Sequence, residues 1–404
     1  MDKILQYSIE KIKKVPLLYK RQLYDKLVKI DENIVWIVWL RGIWKTTLLL
    51  QLANNHLGES VYFSMDSTFV KSKSIFEIVE ELYKNYSMKY FFIDEIHKYN
   101  NWQQDLKTIY DFFDDVKIYF SWSSNIDLIK WNYDLSRRWL LFKLNKFSFR
   151  EYLFLKYNID FEVLTIDNIL SDYKNISLNF YSKYNNILEK FWEYLIYWEL
   201  WFRINSQQDY YGDKLLNILN KIIYEDITNF YNLKTENIYY FFEILKFIAN
   251  SSPSDVNYLS IAKNLSTTPD TIKSYINILN EIWFLNILWK EWKVSINLRK
   301  SKKIFFELTN FIDLFSDKIN TDNLLWIRRE SFVVSELLKI WKLYYNENVD
   351  LVFIIENKKY YFEIWWKNKK LKQIKSIENS FLIKDWIEIW TDLQIPIYLF
   401  WFLY

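Results

Sequence analysis

The chain has 404 residues, 53 Lys and Arg against 50 Asp and Glu, a net charge of +3, two histidines and no cysteine. So even a charge balance argues against a non-specific electrostatic binder of nucleic acid, and the missing cysteines and scarce histidines exclude disulfides, thiolate metal sites and His-rich metal sites. At this length, a hydrophobic content of 51% predicts two or three cored domains.

Residues 1–32 read as an amphipathic helical lead-in without the apolar core of a signal peptide. No run of about 18 apolar residues marks a transmembrane helix, so the expectation is a cytoplasmic protein with no membrane partner. NIVWIVWL (33–40) is a continuous apolar run, as a buried parallel strand would be. Strand and helix then alternate: helix 45–57, strand 61–66, helix 74–86, strand 89–97, helix 102–115 and strand 116–124. The alternation predicts an α/β fold, a parallel sheet with helices on both faces.

Between the first strand and its helix lies WLRGIWKTT, residues 39–47. It has the frame of a phosphate-binding loop, G-x-x-x-x-G-K-[ST], but Trp39 and Trp44 stand at the two glycine positions. In such a loop the backbone amides of Trp39, Leu40, Arg41, Gly42, Ile43 and Trp44 would cradle ATP phosphates, with Lys45 on the β- and γ-phosphates. Thr46 would ligand Mg²⁺, and Thr47 follows in the helix. The third strand delivers Asp94 and Glu95 at its carboxyl end. There Asp94 would hold Mg²⁺ through water and Glu95 would polarise the attacking water. The fourth strand ends in Ser121 and Ser123, a polar sensor of the γ-phosphate or else a helix N-cap. Arg137 or Arg138 would reach the γ-phosphate, in the same chain or from a neighbouring one, or else is a surface arginine.

From about 146 to 250 the pattern is helical. Residues 255–288 then read as two short helices around STTPD, a winged helix-turn-helix, with 290–308 as wing strands. Lys273 falls on the candidate recognition helix, and Arg299, Lys300, Lys302 and Lys303 on or near the wing. This module would bind DNA or only pack its neighbours, and Leu259, Ile276 and Leu279 are its expected core. The last segment carries a helix (328–340), a hairpin and an apolar terminal strand, IPIYLFWFLY. The expected domains are 1–145 (phosphate-loop core), 146–250 (helical), 251–310 (winged helix) and 311–404 (α/β).

Glycine is the remaining anomaly. The chain has 3 Gly and 20 Trp, where ordinary usage is roughly 7% glycine. Tryptophan sits in turn-like contexts, at 282–286, 290–294, 363–369, 384–390 and 399–404. The positions predict that most of these tryptophans, including Trp39, Trp44, Trp122, Trp198, Trp365 and Trp366, are glycines in the organism, through a UGA codon the cell reads as glycine. Trp102 reads as a true aromatic.

WLRGIWKTTL, IDEIHKYNNW, SWSS, LSRR and FSFREYL, with YLIYWELWF and KIFFEL further on, resemble in order the motifs of a prokaryotic AAA+-type P-loop ATPase family with a carboxy-terminal domain of unknown function. Several align only with Trp read as Gly, at 39, 44, 122, 198 and 201. The resemblance implies ATP and Mg²⁺ as cofactors, ATP hydrolysis, and coupling to DNA, a protein partner or a second copy of the chain. The carboxy-terminal domain resembles a PD-(D/E)xK nuclease fold, with Glu330, Asp350 and Glu363 at its acidic positions. The lysine expected two residues after Glu363 is replaced by Trp365, and Lys367 is displaced by a further two, which implies a nuclease-like fold without cleavage. The rival readings are an ATP-regulated winged-helix DNA-binding protein, a metal-dependent nuclease under ATPase control and, for the tryptophan-bearing chain, a non-catalytic interaction protein.

Overall fold

A computed structural model describes residues 1–38, 40–70, 73–122, 138–184, 186–200, 210–251, 256–291, 302–316, 321–355, 358–364, 377–390 and 393–403. Among the sequence-derived candidates, Trp39, Ser123, Arg137, Trp201, Arg299, Lys300, Trp365, Trp366 and Lys367 lie outside the described residues. The chain forms two compact units, Met1–Asn145 and Lys146–Tyr404.

The first unit is a five-stranded sheet in the order β2-β3-β4-β1-β5. Its strands are β1 (Ile34–Val38), β2 (Ser60–Ser64), β3 (Tyr90–Asp94), β4 (Lys117–Trp122) and β5 (Leu140–Lys143). Every neighbouring pair is parallel. All five residues of β1 are buried, as its β-branched, unalternating sequence requires. Its helices are α1 (Asp2–Lys13), α2 (Tyr24–Val28), α3 (Lys45–Asn54), α4 (Ile75–Tyr86) and α5 (Trp102–Phe112). α4 begins on a capping box, Ser74 with Glu77. α5 buries Trp102, Leu106 and Ile109, a spacing of four and three that marks one helix face. Trp102 joins Trp36, Phe120, Trp122 and Trp139 in an aromatic cluster, with ring centroids 5.0 Å apart for Trp102–Trp122 and 5.4 Å for Trp36–Trp139.

The second unit opens with helices Phe149–Tyr157, Ile166–Lys183, Ile187–Tyr197, Tyr211–Asn220 and Ile238–Asn250. The helix pair Tyr258–Asn264 and Pro269–Glu281 follows, the second capped by Thr268 with Pro269 in its first turn. Ile261, Ala262, Ile276 and Leu279 are buried, but Leu259, expected in this core, is 69% exposed. In a helix, residues two apart face different sides, so Ile261 takes the inward position and Leu259 does not. A seven-stranded mixed sheet runs β12-β11-β10-β9-β8-β6-β7. Its strands are β6 (Leu285–Lys290), β7 (Lys302–Phe306), β8 (Leu343–Tyr345), β9 (Leu351–Ile355), β10 (Lys358–Ile364), β11 (Ser380–Lys384) and β12 (Gln394–Pro396). β7, in the stretch 290–308 assigned to the wing, thus shares one sheet with the strands of the carboxy-terminal region. Only the first two residues of the terminal apolar run, Ile395 and Pro396, are strand, and Ile397–Phe402 then turn as a 3₁₀ helix. All-round apolar runs do not distinguish the two structures.

Lys146 is fully buried in this unit. Its ammonium donates to Glu199, to the Glu307 carbonyl at 2.9 Å and to Ser335 Oγ at 2.9 Å, and lies 3.5 Å from Glu336. Lys339 pairs with Glu336 at 2.8 Å. Burial alone would lower the Lys146 pKa, and the surrounding carboxylates outweigh it and raise it.

Candidate functional site

The loop after β1 is compact. Leu40 and Ile43 are buried, Arg41 is half-buried and Gly42 is exposed. Gly42 has φ 88 and Trp44 φ 68, both in the left-handed region that L side chains seldom occupy. Trp44 is the N-cap of α3, and its carbonyl accepts the helix's first bond from Leu48 N at 2.9 Å. Lys45 is buried, and its Nζ donates to the Leu40 carbonyl at 2.8 Å, so the amine folds back over its own loop. Thr46 is exposed and Thr47 half-buried. Thr46 Oγ1 donates to Asp94 Oδ2 at 2.6 Å.

Asp94, at the carboxyl end of β3, is buried. It accepts from three hydroxyls: Thr46 in the first turn of α3, Tyr62 OH from β2 at 3.0 Å and Ser121 Oγ from β4. Tyr62 reaches it because Ser64 is the direct partner of Asp94 and a residue two back shares that face. Burial, reinforced by Asp94, pushes the Tyr62 phenol far above its ordinary pKa, so it remains a donor. Ser121 Oγ also accepts from Glu95 N at 3.1 Å. Glu95 turns the chain at φ 51 into a 3₁₀ turn, Ile96–Lys98.

His97 lies on that turn, its Nε2 3.3 Å from Glu95 Oε2 and its ring stacked on Trp122 at 5.2 Å. Burial first, then the cations of Lys98, Arg41 and Lys45, push its pKa down to about 3. It is a neutral imidazole beside the carboxylate. Arg138 pairs with Asp111 at 3.3 Å and lies over the Tyr110 ring.

Four residues near the loop and the acids carried no sequence signal. Tyr62 sits in a strand buried on both faces, where no alternation singles it out. His97 lies in a three-residue turn. Arg21 and Gln51 act through backbone carbonyls: Arg21 donates to the Ile43 and Asn145 carbonyls at 2.6 Å each, and Gln51 Nε2 to those of Pro16 and Tyr19 at 2.7 Å each. Carbonyl acceptors belong to every residue type, so a sequence cannot mark them.

In the second unit, Asp350 and Glu363 bind each other's strands. Ile364 N donates to Asp350 Oδ2 at 3.1 Å, and Asp350 N to Glu363 Oε2 at 3.2 Å. Lys303 Nζ lies 3.5 Å from Asp350 Oδ1. Glu330, on the helix Thr321–Leu337, accepts from Trp326 Nε1. Among the described residues no group of three or more His, Cys, Asp or Glu is placed to hold a metal ion. Lys302 Nζ sits 3.7 Å above the Trp289 ring, and burial, then repulsion from Lys273, lowers its pKa.

Residues 31–153 match the family model of an AAA domain. That segment contains the loop, both acids, Ser121 and Arg138. An uncharacterized protein of Methanocaldococcus jannaschii, MJ1637, is 26% identical over 337 residues, which is 76% of this chain and 70% of that one. The Walker-type ATPase PABY2304 of Pyrococcus abyssi is 11% identical with a TM-score of 0.39, over 75% of this chain and 94% of the other. The RuvB Holliday junction branch migration motor of Thermotoga maritima is 15% identical with a TM-score of 0.30, over 68% and 93%. Among the described residues no helix is long and apolar enough to cross a membrane.

Proposed function

We propose that the chain is an AAA+-type ATPase that binds ATP with Mg²⁺ at residues 39–47 and hydrolyses it in the cytoplasm. The observation that carries this reading is the 2.6 Å hydrogen bond between Thr46 Oγ1 and Asp94 Oδ2, with Lys45 one residue away. It brings together two hard oxygen donors of the kind Mg²⁺ takes, from the loop and from the acid-bearing strand. The AAA-domain match over the same residues supports it. When bound there, Mg²⁺ would supply positive charge to offset the charge that develops on the phosphates. Thr46 and Asp94 would hold it, Lys45 would move from the Leu40 carbonyl to the phosphates, and Glu95 would take the proton of the attacking water. Lys45→Ala should abolish ATP binding in calorimetry. Glu95→Gln should bind ATP normally and hydrolyse it about 10²-fold or more slowly; turnover at the parent rate would remove Glu95 from this role.

The glycine reading belongs to the same proposal. Trp44, Trp283 and Trp386 have φ of 68, 57 and 61, where a bulky side chain is strained and glycine is not. Trp122 and Trp198 have no such backbone, so their reading rests on motif position. Native peptides should carry glycine at 39 and 44 by mass spectrometry. The tryptophan-bearing chain should bind ATP weakly, and Trp39→Gly with Trp44→Gly should restore binding.

A second reading has DNA as the partner of the helix pair, with Lys273 on its second helix and Lys302 on β7, where the Lys302 carbonyl accepts from Val256 N, just before the pair, at 2.9 Å. Duplex binding that weakens with salt, and weakens further in Lys273→Ala with Lys302→Ala, is the expected outcome. For the acids Glu330, Asp350 and Glu363 we propose a nuclease-like fold without cleavage. In support, Asp350 and Glu363 spend an oxygen each on backbone amides. Mg²⁺-dependent DNA cleavage would contradict it. A protein partner or a second copy of the chain is the remaining candidate for what hydrolysis drives.

A further inference from the structure

Arg21 lies in the stretch between α1 and α2, 22 residues before the loop carbonyl it binds. Its side chain is 1% exposed. A guanidinium cannot shed its charge, and burying a cation is costly unless it is well bound. Its binding is a fork: one arm donates to the Ile43 carbonyl and the other to the Asn145 carbonyl, each at 2.6 Å. The segment that delivers it is pinned in turn, because Gln51 on α3 donates to the carbonyls of Pro16 and Tyr19. Tyr24 OH binds Asn55 Oδ1 at 2.7 Å, just past the end of α3. A non-helical stretch is thereby held against the helix that the phosphate loop opens.

The peptide unit between Ile43 and Trp44 is a rigid trans plane, so its C=O and N–H point in opposite directions. Holding the carbonyl on one side fixes the amide on the other. The amide of Trp44, immediately before Lys45, is one that a phosphate loop must turn towards its anion. We propose that Arg21 is the positioning residue of the phosphate loop: by gripping the Ile43 carbonyl it orients the amide of residue 44 towards phosphate, and its buried charge adds to the attraction. The grip on Asn145 fixes the guanidinium plane, so the orientation survives when the loop is empty. Lysine keeps the charge and loses the fork.

This inference rests on the ATPase reading, and the test separates the two. The parent is the full chain carrying Trp39→Gly and Trp44→Gly. In Arg21→Lys, affinity for ATP and for inorganic pyrophosphate should fall about 10-fold, with KM for ATP raised by a similar factor and kcat at saturation nearly unchanged. A merely structural defect would lower kcat through the folded fraction and leave KM alone, and that result would overturn the proposal. Equal affinity in parent and Arg21→Lys would overturn it too. A parent that binds no nucleotide would overturn the ATPase reading and this one with it. Should Arg21→Lys fail to fold, hydrogen exchange in the parent decides. Slower exchange of the residue 44 amide on adding pyrophosphate is expected, and unchanged exchange would overturn the proposal.

Discussion

The hydroxyl of Ser121 holds both acids of the site, donating to Asp94 and accepting from the amide of Glu95. Beside them His97 is half-buried and neutral, its pKa pushed down to about 3 from an ordinary 6.5. That has a consequence for stability. Below pH 6.5 the unfolded chain takes up a proton at position 97 and the folded one does not, so stability falls on acidification. The groups facing the ring are Glu95, Lys98, Arg41, Lys45 and Asp94, and the cations among them oppose its protonation. The loss between pH 6.5 and about pH 5 should be about 2 kcal/mol for the first unit. Urea unfolding at about pH 7.5 and about pH 5 checks it, and His97→Gln should flatten the difference. An unflattened profile would assign the acid sensitivity to other groups.

At the scale of elements, the helix Pro269–Glu281 ends in a Schellman turn, with Phe284 N bonded to Leu279 O at 2.9 Å and Trp283 N to Asn280 O at 3.0 Å. Trp283 occupies the left-handed position there, φ 57, which helices usually give to glycine. Trp283→Gly should therefore raise stability by about 1 kcal/mol, read as a higher urea midpoint at unchanged slope. A lower midpoint would mean that the indole's packing outweighs the backbone strain. Elements with a strong local signal were legible in the sequence. β1 to β4 announced themselves as apolar runs between helices, and the loop and Asp94–Glu95 by their places at strand ends. β5 was missed, since its Leu140 and Leu141 are exposed and its partner β1 lies about a hundred residues earlier in the chain. β8, of three residues, lacked the length to stand out. The contact of Tyr62 depends on register between β2 and β3, and that of Arg21 on carbonyls 22 and 124 residues away, which no local pattern encodes.

For the whole molecule, the buried charges at the start of the second unit dominate. Lys146→Met would leave Glu199, Glu307 and Glu336 with Lys339 as their remaining cation from this cluster. The second unit should lose about 3–5 kcal/mol, the scale for breaking a buried ion pair, while ATP affinity stays as in the parent. Calorimetric unfolding and ATP titration of the same sample check both halves. The position of Lys146 also governs how the chain can be divided. Asn145, whose carbonyl Arg21 grips, closes the first unit, and the very next residue is the fully buried cation of the second. A fragment starting at 147 lacks that cation, and one starting at 146 adds a charged amino terminus beside it. Moving the cut back to 140 takes β5 from the first unit. The two units are distinct as structures, yet a cut between 145 and 146 would place new charged termini on the residue whose carbonyl Arg21 grips and on the buried cation, and an insertion at this junction should harm both at once.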